Sequence, residues 1–92
     1  MPLFFARVQL PGYPTEAQYE ALHAQMANAA FYRAVYGRDG KFALPHGTYA
    51  SDAYPTADAA AHAASAVART VAVGAEVLTS GSDWQGLGLR KL

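Results

Sequence analysis

A chain of 92 residues has room for one compact domain, residues 1–92, because a second independent core is unusual below roughly 150 residues. With 52% hydrophobic and 15% charged residues it lies outside the composition of disordered chains, and seven Lys and Arg against seven Asp and Glu leave no basic excess to mark a nucleic-acid-binding domain, so DNA binding is not expected and any RNA contact must be local. The lack of cysteine excludes disulfides, thiolate metal ligands and a cysteine nucleophile, and fits a reducing compartment, so a cytoplasmic location is expected.

The first ten residues interrupt their apolar positions with Arg7 and Gln9 and carry no basic leader region, so they read as a strand and not as a signal peptide. In that strand, Leu3 to Leu10, the residues Phe4, Ala6, Val8 and Leu10 alternate with Phe5, Arg7 and Gln9, the period of a half-buried strand. Pro11, Gly12 and Pro14 end it. Thr15 then caps a helix with Gln18 as its capping-box partner, and Tyr19, Leu22, Met26 and Ala29 or Ala30 form its inner stripe.

Extended character returns from Phe31 to Gly37 and again from Phe42 to Ala50, joined through Arg38-Asp39-Gly40-Lys41, whose Asp-Gly pair predicts a tight hairpin turn. Pro45 lacks a ladder donor, which predicts an edge position or a bulge near Pro45-His46-Gly47. A second helix is expected over Thr56 to Val71, with Ala60, Ala64, Val67 and Val71 facing inward, followed by a stop at Gly74 and a last strand over Ala75 to Ser80. Its alanine-rich tract carries Asp58, His62 and Arg69, too polar for a bilayer, so no membrane span is expected. A glycine-rich tail with Trp84 follows.

This order predicts an α+β, ferredoxin-like β-α-β-β-α-β domain: a four-stranded antiparallel sheet with two helices on one face. The other face is then left open, with Phe5, Arg7 and Gln9 on it.

The three histidines lack metal-ligand spacing, so no metal and no cofactor is expected. His46 sits in the irregular stretch where an imidazole is aimed outward, and His23 lies at the margin of the first helix's stripe. Arg7 and Arg33 fall on strands, where a charge cannot face the core cheaply, and so are placed to hold phosphate on an open surface. Phe5, Tyr32, Tyr36 and Tyr49 are the aromatic residues available to stack bases. Lys41-Phe42-Ala43-Leu44-Pro45 does not match the third-strand signature of the RNA-recognition sheet proteins, and no phosphate-binding glycine loop precedes a helix.

Phe5-x-Arg7-Val8-x-Leu10, Tyr19-Glu20-x-Leu22-His23-x-x-Met26, Phe31, Asp39-Gly40, Leu44-Pro45-x-x-x-Tyr49 and Trp84-x-Gly86-Leu87 together resemble small bacterial and prophage proteins of the GhoS antitoxin family. The resemblance implies a ferredoxin-like endoribonuclease, similar to small CRISPR-associated ribonucleases, that cuts single-stranded toxin messenger RNA. His23 then corresponds to the family's basic position in the first helix, while the strand-one carboxylate of the CRISPR-associated enzymes is absent from Arg7-Val8-Gln9. On this reading His23 and His46 are catalytic and Arg7 and Arg33 grip phosphate. The alternative is a non-catalytic interaction domain that forms a homodimer or binds a protein through the open face or an edge strand.

Overall fold

The computed structural model describes residues 2–81 and 86–92, so Trp84 of the tail motif lies outside the described residues. The elements run β1 (Phe4–Gln9), α1 (Glu16–Asn28), β2 (Ala34–Gly37), β3 (Gly40–Ala43), β4 (Thr48–Ser51), α2 (Ala57–Val71) and β5 (Glu76–Ser80).

They build two antiparallel sheets, not the expected single four-stranded sheet: β4-β1-β5, and a separate β2-β3 hairpin. The element order is correspondingly β-α-β-β-β-α-β, because the second arm of the expected hairpin splits into β3 and β4. Pro45 is the physical reason. It cannot donate to a ladder, and the chain turns there, with the Thr48 amide donating to the Pro45 carbonyl at 3.0 Å. Gly47 completes the turn with φ of +80°, and its carbonyl accepts from the Val8 amide at 2.7 Å. A Cβ at that position would meet the Val8 carbonyl oxygen at 2.8 Å, so only glycine brings the turn this close to β1.

The first arm is also shorter than expected. Phe31 is buried, Tyr32 makes an isolated bridge to Ala50, and the strand proper begins at Ala34. In the hairpin Gly37 pairs with Gly40, which leaves Arg38 and Asp39 at the tip. The far end of the chain returns to its outer edge: Phe42 bridges Lys91, and the Leu92 amide donates to the Lys41 carbonyl at 2.8 Å.

Helix α1 carries the complete capping box. The Thr15 hydroxyl accepts from the Gln18 amide at 3.1 Å, and the Gln18 side chain accepts from the Thr15 amide at 2.9 Å. At its other end Ala30 takes φ of +66°, and the Phe31 amide donates back to the Met26 carbonyl at 2.9 Å. This is a Schellman-type stop whose hydrophobic contact is Met26 with Phe31. Helix α2 is capped by Thr56, and β5 is tied to its first turn by the Thr79 hydroxyl, which donates to the Ala57 carbonyl.

The main core lies between the three-stranded sheet and both helices. Ala6, Val8, Leu10 and Tyr49 face Leu22, Met26, Ala60, Ala64 and Ala68. The inner stripe of α2 is thus three alanines, with Val67 and Val71 only partly buried at its border, and these small side chains let the helix lie close to the sheet. A second cluster forms on the opposite face, where Phe5, Val35 and Ala50 pack with Leu3, Phe42 and Leu44. The expected open face is therefore covered at the Phe5 end, because the detached hairpin folds its own apolar side onto it. Among the described residues no helix is long and apolar enough to cross a membrane.

Candidate functional site

Helix geometry places residues four apart on one face, so Tyr19 and His23 stand together on α1. The Pro45–Gly47 turn brings His46 to the same spot. The Tyr19 and His46 rings lie 4.2 Å apart between centroids, and the His23 and His46 rings 5.6 Å apart at 90°. Strand β4 supplies Tyr49 from below, with its hydroxyl 2.6 Å from His23 Nδ1. Two histidines 23 positions apart in sequence thus meet because a helix face and a broken strand converge.

Burial chiefly pushes the proton affinity of His23 below its ordinary value of 6.5; the charges of Arg33 and His46 push the same way, and Glu20 opposes them. His23 is neutral at pH 7 as a result. Burial also raises the Tyr49 phenol to about 12, with Arg33 pulling it down and Tyr19 adding to the rise. Tyr49 therefore stays a neutral hydroxyl that orients the imidazole without taking its charge.

Arg33 is exposed, and it is close enough to act electrostatically on both His23 and Tyr49. Arg7 lies on the exposed side of β1, where it lines an open groove of about 530 Å³ that adjoins the histidines, with Gln9, Tyr19, His46, Glu76 and Leu78. Among the described residues neither arginine is within ion-pair distance of a carboxylate.

The four aromatic residues expected to stack bases divide. Tyr49 has no exposed surface and belongs to the core, and Phe5 is buried in the second cluster, so neither ring offers a face to a base. Tyr32 and Tyr36 are exposed and line a second groove, of about 380 Å³, with Leu3, Lys41 and Asp52. The Lys41 ammonium stands 5.7 Å from the centre of the Tyr36 ring.

Tyr19, Gln9 and Glu76 were not among the expected site residues. Tyr19 has a signal in the sequence, its four-residue spacing from His23. Gln9 and Glu76 have none, because they meet only through the pairing of β1 with β5. Among the described residues no three His, Asp or Glu side chains gather as a metal site.

No protein-family model, curated protein or solved structure matches this chain.

Proposed function

We propose that this chain binds single-stranded RNA and cleaves it by acid/base chemistry, with His23 and His46 as the proton-transfer pair. The observation that carries the reading is the pair itself: two imidazoles 5.6 Å apart between ring centroids, one anchored by Tyr49, near an arginine that has no ion-pair partner among the described residues. When His23 Nδ1 donates to the Tyr49 hydroxyl, Nε2 is left as a free base. It takes the proton of a ribose 2′-hydroxyl, whose oxygen attacks the adjacent phosphorus. Protonated His46 gives its proton to the departing 5′-oxygen, and the products are a 2′,3′-cyclic phosphate and a 5′-hydroxyl end. Arg33 offsets the charge that builds on the phosphoryl oxygens. Arg7 holds the neighbouring nucleotide in its groove, and Tyr32 and Tyr36 supply stacking surfaces for bases farther along the strand.

The GhoS resemblance supports the same chemistry and suggests its setting, a cytoplasmic antitoxin that removes a toxin messenger. The outer edge of β5, unpaired among the described residues, favours a second reading in which that edge joins a second copy or a protein partner.

The test is incubation of the protein with a mixed pool of single-stranded RNAs at low salt, with and without EDTA. Cleavage that persists in EDTA, ends in cyclic phosphate and falls by about 10²-fold or more in each of His23→Ala and His46→Ala is the expected result. Absence of both cleavage and binding would overturn the RNA reading, and sedimentation would then decide whether the β5 edge makes a dimer.

A further inference from the structure

The groove beside His46 carries more hydrogen-bonding chemistry than phosphate binding requires. Gln9 and Glu76 are directly paired across β1 and β5, and Arg7 is paired with Leu78 two positions along on the same face. Arg7 and Glu76 therefore stand on the diagonal of this square, about 7–8 Å apart at the backbone, a separation across which two long side chains can reach toward one ligand. They do not form an ion pair with each other, so the guanidinium fork and the carboxylate both remain available to a ligand. Tyr19 and His46 close the groove at the end nearest the His23 imidazole. Its volume, about 530 Å³, falls within the usual range for small-ligand sites.

A site that offers a two-donor fork on one side and a two-acceptor carboxylate on the other selects among the bases. Guanine presents O6 and N7 as paired acceptors, the commonest partners of an arginine fork, and N1–H and N2–H as paired donors that a carboxylate accepts together. Adenine and cytosine each present one exocyclic amino group and cannot fill a carboxylate bidentately, and uracil presents a single N–H. Gln9 adds an amide that serves either side.

We infer that this groove is a guanine-recognition site, formed by Arg7 and Glu76 with Gln9 between them, next to the histidine pair. The inference rests on the RNA reading for its biological sense, but the binding it describes does not require cleavage. With the reacting phosphate at His23 and His46, the guanosine in the groove is the nucleotide adjoining the cut, so Arg7 and Glu76 determine where the RNA is opened.

The experiment is a titration of the isotope-labelled chain with guanosine, adenosine, cytidine and uridine 3′-monophosphates, followed by amide NMR shifts, in the wild type and in Glu76→Gln and Arg7→Lys. The expected result is binding of the guanosine nucleotide about tenfold or more tighter than the others, with shifts on β1 and β5. Glu76→Gln abolishes that preference while leaving the spectrum of the free protein folded, and Arg7→Lys weakens the guanosine nucleotide more than the pyrimidine ones. Equal affinity for all four nucleotides, or a guanosine preference that survives Glu76→Gln, overturns the inference. RNA cleavage without preference for guanosine removes this site and leaves the cleavage chemistry standing, whereas selective guanosine binding without cleavage retains the groove and removes the chemistry.

Discussion

The hydroxyl of Tyr49, on a side chain with no exposed surface, lies 2.6 Å from Nδ1 of His23. A core residue thereby sets the orientation of a ring at the surface, and the bond joins the packing of the sheet to the chemistry of the site. Tyr49→Phe keeps the shape of the ring and removes only this bond. Stability is expected to fall by about 1 kcal/mol, read as a lower urea midpoint with an unchanged slope. If the proposed RNA cleavage is the activity, it is expected to fall further than that loss accounts for, because His23 loses the partner that fixes which nitrogen carries the proton.

The pH dependence follows from the same histidine. Burial first, then Arg33 and His46, hold the His23 proton affinity below 6.5 in the folded chain, so between the two values the unfolded state binds more protons. The contribution of neutral His23 to stability is full above pH 6.5 and is lost as pH falls through its folded value. Arg33→Gln removes one of the opposing charges, so the His23 ring titrates at higher pH in an NMR titration and the acid-side loss of melting temperature shrinks. An unmoved His23 titration in that variant contradicts the placement of Arg33.

Gly47→Ala tests the turn that delivers His46. The new methyl group meets the Val8 carbonyl and the backbone is held at positive φ, a strain worth about 1–3 kcal/mol. The expected outcome is a lower unfolding midpoint, together with a change in the NMR shifts of both His46 and Tyr19 as the turn moves away from β1.

Ala30 has the opposite expectation. It occupies the left-handed region at the end of α1 without a glycine's freedom, which costs about 1 kcal/mol. Ala30→Gly is expected to raise the unfolding midpoint by a comparable amount and to leave the NMR shifts of His23 and His46 unchanged; a destabilised variant would mean that the Ala30 methyl group contributes packing.

Local signals were well represented in the sequence. The alternation in β1, the Thr15 and Gln18 capping box and the disturbance at Pro45 all depend on neighbours within a few residues, and each has its counterpart in the structure. The single-sheet expectation failed where the consequence of a local event is long-range. A missing ladder donor at Pro45 is visible as such, but whether the chain bulges and continues or leaves the sheet is decided by how Val35 and Phe42 pack over Phe5. The same break decides which way Tyr49 points, because one inserted residue exchanges the two faces of a strand. That is why Tyr49 could be taken for a surface ring. The meeting of His23 with His46 is tertiary for the same reason, while Tyr19 could have been paired with His23 from helical spacing alone.

The pairing of β1 with β5 has a kinetic consequence. The central strand of the larger sheet, β1, pairs with β5, which follows it only after both helices and three other strands, so that sheet cannot be completed until all of these have been synthesised and β1 and β5 brought together. The β2-β3 hairpin and the two capped helices can form from local contacts long before then. Closing the sheet, and with it the groove shared by Arg7 and Glu76, is a late, high-contact-order event, so the folding rate is expected to be set by the meeting of β1 with β5.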